Sequence, residues 1–121
     1  MPANPIERIR KICLALPEAH EQLAWSEPTF RVRKKMFAMY ANANNHHGAG
    51  RHAVWLKAAI ENQQLLVTRE PDRYFAPPYV GPSGWIGVWL DKRPNWGTIS
   101  ELITDAYLRV APKKLVEQVR R

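Results

Sequence analysis

One cysteine, Cys13, stands in 121 residues, which excludes an intrachain disulfide and a cysteine cage for zinc. No stretch approaches the roughly 18 consecutive apolar residues of a membrane span. The opening Met1-Pro2-Ala3-Asn4-Pro5 lacks the charged and apolar regions of a signal peptide. A cytosolic protein without a membrane partner is the expectation. Acidic side chains are scarce relative to basic ones, 11 against 18 for a net charge of +7, so nucleic acid is a better partner than a basic surface. The run Gly81-Pro82-Ser83-Gly84 has neither the spacing nor the lysine of a phosphate-binding loop. Repeats, low-complexity tracts and linkers are absent too. An apolar content of 45% is that of a globular chain rather than a disordered one, and the length suits one domain with one hydrophobic centre.

Periodicity supplies the elements. Asn4, Pro5 and Glu7 read as a helix start with a side-chain cap, and Ile6, Ile9, Cys13 and Leu16 recur as one apolar stripe on a helix from about Pro5 to Leu16. Cys13 is therefore a core residue. Strand-like runs follow at Glu21 to Trp25, Thr29 to Arg33, Met36 to Ala41 and His52 to Lys57. Lys34 and Lys35 sit at a hairpin tip, and Asn42 to Gly50 is a long loop. Ala58 to Thr68 reads as a short helix. Arg73 to Ser83 is an irregular connection or edge, because Pro77, Pro78 and Pro82 suit neither ladder nor helix. Trp85 to Leu90 is a strand. Thr98-Ile99-Ser100-Glu101 reads as a capping box opening a helix with Ile99, Leu102, Ile103, Ala106, Tyr107 and Val110 toward the core. Pro112 breaks or kinks it before a basic tail. This order predicts an α+β protein: an antiparallel sheet with its N- and C-terminal helices packed on one face and the other face partly open.

The pieces Ala15-Leu16-Pro17-Glu18, Phe30-Arg31-Val32, Lys35-Met36-Phe37-Ala38, Leu56-Lys57, Pro78-Tyr79-Val80-Gly81, Gly84-Trp85 through Val88, Leu90-Asp91, Leu102-Ile103 and Ala106-Tyr107 resemble, in order and spacing, the MmcQ/YjbR family. The resemblance implies a CyaY (frataxin)-like fold and a DNA-binding role, and it brings no catalytic residues. Gly84 before Trp85 and Ile86-Gly87 after it depart from the family's pattern of a His before and polar residues after. An iron-chaperone role does not transfer, because the first helix carries Arg8, Arg10 and Lys11 against Glu7.

Alternation along strands yields the candidate site. With Phe30 and Val32 inward, Arg31 and Arg33 point to the open face. With Ile86, Val88 and Leu90 inward, Trp85 and Trp89 point there. With His52, Val54 and Leu56 inward, Trp55 and Lys57 do. Arg31, Arg33, Lys34, Lys35 and Lys57 interleaved with Trp55, Trp85 and Trp89 suit phosphates and unstacked bases, giving a non-enzymatic nucleic-acid-binding module. Two other readings stand beside it. The tryptophans are core residues beneath Arg73 to Ser83, or the face is a protein or dimer interface in a monomer or weak homodimer. His46, His47 and His52 lack the partners for a metal centre. Glu18, His20 and Glu21 are the one compact acid-base group, with no nucleophile near it in sequence, so a small-molecule enzyme stands third, behind nucleic-acid binding and a protein-interaction module. No cofactor is expected.

Overall fold

A computed structural model describes residues 5–43 and 50–120. The elements run α1 (Pro5–Leu14), β1 (Ala19–Ala24), β2 (Glu27–Val32), β3 (Lys35–Ala41), β4 (Ala53–Leu56), α2 (Ile60–Arg69), β5 (Tyr74–Phe75), β6 (Ile86–Trp89), α3 (Trp96–Val110) and α4 (Lys113–Val119). The six strands form one antiparallel sheet in the order β1-β2-β3-β4-β6-β5, so the protein has the α+β class expected of it. The expected Asn4 cap, His46, His47 and most of the loop before Gly50 lie outside the described residues.

On one face, Ile9 and Cys13 of α1, Ile99, Ile103, Ala106 and Tyr107 of α3 and Leu115 of α4 bury against Phe30, Val32, Val54, Leu56, Ile86 and Val88 of the sheet. The β-strand period decides which sheet residues take part, since alternate side chains point to opposite faces. Tyr107 closes this layer by donating from its hydroxyl to the Pro17 carbonyl at 2.6 Å and meeting Phe37 edge-on at 5.5 Å.

A second cluster fills the opposite face, in keeping with the alternative that made the tryptophans core residues: Met39, Ala41, Ala53, Trp55 and Trp85 are buried, with Met36, Phe75, Val80 and Trp89 packed against them. The expectation of one hydrophobic centre is thus corrected to two layers with the sheet between them. The connection that carries Phe75, Tyr79 and Val80 passes over this face. Gln63 of α2 holds that connection from behind. Its side-chain amide is buried and donates to the carbonyls of Gly81 at 2.8 Å and Trp85 at 2.6 Å.

Two helix boundaries differ from expectation. Asn95, not Thr98, caps α3, because its Oδ1 accepts the Thr98 backbone N–H at 3.1 Å and the helix has already begun at Trp96, two residues before the supposed capping box. Pro112 follows the end of α3 as expected, but the basic tail beyond it forms a further helix, α4. Pro112 is the N-cap of that helix, with extended backbone (φ −61°, ψ 151°), and α4 then buries Leu115.

Candidate functional site

The helix-free face contains a cavity of about 570 Å³ lined by Trp25, Ser26, Met36, Met39, Trp55, Tyr79, Val80 and Trp85. Its position follows from local sequence events. The β1–β2 connection is a two-residue turn in which Trp25 (φ 53°) and Ser26 (φ 64°) both take the left-handed conformation. That mirror-image turn matches the twist of paired strands, at a conformational cost for non-glycine residues. In β3 the pairing passes from Phe30↔Ala38 to Arg31↔Met36, so Phe37 is the extra residue of a β-bulge. The bulge puts Phe37 and Ala38 in the same layer and leaves both Met36 and Met39 on the cavity side. Strict alternation would have sent the two methionines to opposite faces.

Trp55 of β4 and Trp85, just before β6, form the floor and are only 2% and 6% exposed. The rim is the opposite: Trp25 is 62% exposed and Tyr79 78%. Tyr79 also carries a positive φ of 67°. Two large aromatic rings are therefore presented to solvent on constrained turns, above a cavity with no charged side chain among its lining residues.

The residues expected to form a binding face come together only in part. Alternation assigned Trp55, Trp85 and Trp89 to the correct side of the sheet. Their expected exposure is corrected, because the segment over the face covers them. Trp89 is half-buried, its ring stacked on Phe75 at 4.1 Å and covered by the Arg51 guanidinium at 3.9 Å. Neither side of the Trp89 indole is free for a base. Gly87 makes the stack possible: a Cβ there would lie 2.2 Å from Phe75 Cζ. Arg51 is itself fixed by a two-point pair with Asp91 at 2.7 and 2.9 Å, which holds the Asp91 carboxyl below the usual carboxylate range.

Among the basic candidates, Arg31 pairs with Met36 across β2 and β3, and Lys57 donates its backbone N–H to Phe37 at the end of β4. The register thus sets both at the Met36 end of the cavity. Each is half-buried, while Lys34 and Lys35 are exposed at the adjoining turn. Arg33 departs from the set, its guanidinium engaging Glu18 at 2.9 Å. None of Arg31, Lys34, Lys35 and Lys57 forms an ion pair among the described residues.

The possible acid-base group is dispersed. Glu18 engages Arg33 and Glu21 engages Arg10 at 2.6 Å, while His20 lies opposite Arg31 in the register. His52 has its Nδ1 occupied, accepting the Ala43 backbone N–H at 3.2 Å and lying 2.7 Å from the Tyr40 hydroxyl. Burial raises the Cys13 thiol far above its ordinary value, which removes its nucleophilic thiolate form. Trp25, Ser26, Met36, Met39, Tyr79 and Val80 were not anticipated as site residues. The pair Trp25-Ser26 ahead of Pro28 was the available signal for the turn, whereas the bulge at Phe37 leaves no mark in residue type.

Comparison with known proteins adds the following. The YjbR family model matches residues 14–109. The crystal structure of Deinococcus radiodurans protein DR2400, assigned the domain DUF419, superposes with a TM-score of 0.75 at 21% identity, over 90% of this chain and 80% of that one. No curated protein matches. At that identity the structural likeness speaks for the fold alone, while the family model spans all six strands and most of α3; the chain belongs to the YjbR family.

Proposed function

We propose that the protein is a binding module rather than an enzyme, and that it holds single-stranded nucleic acid against the helix-free face. The observation that carries this is the pair of solvent-presented rings, Trp25 and Tyr79, at the mouth of an aromatic cavity. Flat exposed rings accept unstacked bases of any sequence at about 1 to 3 kcal/mol per base. Arg31 and Lys57 at one end of the cavity, continued by Lys34 and Lys35, supply positive charge for the phosphates of the same strand. A net charge of +7 favours encounter with a polyanion.

Titration with a single-stranded oligonucleotide, followed by tryptophan fluorescence at several salt concentrations, tests the proposal. Binding should weaken steeply with salt, and Trp25→Ala should cost about 5- to 150-fold in affinity, the equivalent of one lost stack. Arg31→Glu with Lys57→Glu should flatten the salt dependence, each lost phosphate contact removing about 0.7 from the logarithmic slope. Unchanged binding in both variants refutes the assignment to this face.

A second reading, a protein-interaction surface, is favoured by Leu23, which is 72% exposed on β1 at the edge of the sheet. An open edge strand with an exposed apolar side chain accepts a strand from another protein. Such pairing persists at high salt, where nucleic-acid binding is lost.

A further inference from the structure

We infer that the cavity is also a site for a free, neutral, planar aromatic molecule, distinct from the polymer proposed above. Nucleic-acid binding as argued uses the exposed rim and the basic end. The small-molecule site shares the rim rings Trp25 and Tyr79 and adds the buried floor of Trp55, Trp85 and Met39 between them.

The volume, about 570 Å³, lies within the range of small-molecule pockets, which are mostly apolar with a few polar groups to orient the ligand. Three indoles, a phenol ring, two thioethers and an isopropyl group supply the walls. Aromatic rings favour stacked or edge-on partners, and the unbranched methionines Met36 and Met39 adapt to a ring and make favourable sulfur–aromatic contacts. Both features select a flat ligand over a branched one. The hydrogen-bonding side chains of the lining are the hydroxyls of Ser26 and Tyr79 and the indole N–H groups, with no carboxylate, amide or imidazole among them.

Charge narrows the choice. Aromatic walls alone also suit a quaternary ammonium group. No acidic residue lines this cavity, however, Arg31 and Lys57 stand at one end of it, and the whole chain is basic. A cation is disfavoured by that field, which leaves the neutral ring system. The cavity is also supported rather than collapsed. Gln63 fixes the chain on either side of its Val80 and Trp85 walls through Gly81 and Trp85, and Gly84 (φ +100°) approaches Ala58 so closely that a Cβ would meet the carbonyl oxygen at 2.8 Å.

The methyl groups of Met36 and Met39 report occupancy directly. In the full chain labelled with methyl-¹³C methionine, with the signals assigned through Met36→Leu and Met39→Leu, indole should move both resonances saturably by its ring current. Tetramethylammonium should move neither. Val80→Trp, which fills the cavity, should weaken indole binding at least tenfold; Tyr79→Gly, at a position whose positive φ suits glycine, serves as a second variant that removes one wall without filling space. Absence of a saturable shift in either methyl overturns the inference, as does a larger response to tetramethylammonium than to indole. An oligonucleotide that binds while indole does not overturns this inference and leaves the nucleic-acid reading standing. The converse result overturns only the latter.

Discussion

Gln63 is the residue whose removal should most clearly separate support of the cavity from general stability. It sits on α2, exposed to solvent by only 5%, and both N–H groups of its amide are used on carbonyls of the segment that covers the sheet, at Gly81 and Trp85. Gln63→Leu keeps the volume and removes both donors. Each buried hydrogen bond contributes about 1 kcal/mol net, with a further cost where an acceptor stays buried and unpaired. The Gly81 carbonyl retains the Gly84 N–H at 2.9 Å, so the additional cost falls mainly at Trp85. A total loss of about 2 to 3 kcal/mol follows, measured as the fall in urea midpoint at constant slope. The exposed neighbours Asn62 and Gln64, replaced by leucine, should change stability by less than about 0.5 kcal/mol. Gln63→Glu carries an additional signature. A carboxylate offers the two carbonyls no hydrogen, so the fold favours the protonated acid and raises its pKa above the unfolded value of about 4.3. Its stability should be highest in acid and fall as the pH rises through the folded-state pKa. A Gln63→Leu protein within 0.5 kcal/mol of the parent, or a Gln63→Glu protein with the parent's pH dependence, refutes the reasoning.

Three further outcomes test other parts of the structure. Gly87→Ala should cost about 1 to 3 kcal/mol by overpacking, since its Cβ occupies the position of the Phe75 ring; in a double-mutant cycle with Phe75→Ala the combined loss should be smaller than the sum. Cys13, fully buried with its thiol pushed up by desolvation, should resist a thiol reagent in the native protein and react fully in denaturant, whereas rapid native labelling would contradict its place in the core. Asp91→Asn should cost about 1 kcal/mol or less at neutral pH, because the pair with Arg51 is partly exposed. The Asp91 pKa is lowered by Arg51, so this contribution is present above the unfolded value of about 3.9 and is lost as pH falls through the folded value. The difference between parent and variant should therefore vanish in acid.

Much of the fold was legible because it rests on local patterns. The three-and-four spacing of Ile6, Ile9 and Cys13 specified α1, and two-residue alternation placed Phe30, Val32, Val54, Leu56, Ile86 and Val88 in the helix-side layer where they pack. The same alternation put Trp55, Trp85 and Trp89 on the far side. Their burial was not legible, since it depends on where residues 73–84 pass in space, and the prolines there give that segment no period. The core alternative for the tryptophans describes Trp55 and Trp85 as they stand. The bulge at Phe37 is likewise a product of pairing between β2 and β3 rather than of any residue's preference, so Met36 and Met39 could not be assigned a common face in advance. Arg33 left the basic set because its turn, with φ 56°, brings it to Glu18, a contact between elements that no single strand encodes.

The most direct measurement of the central claim is amide and indole N–H chemical-shift mapping on addition of a single-stranded oligonucleotide at low salt. The account predicts that the largest changes fall on the Trp25 indole, Tyr79, Arg31, Met36 and Lys57, and that they disappear as salt is raised. Changes confined to the helix side of the sheet, for instance at Lys113 and Lys114 of α4, or no changes at all, would contradict it.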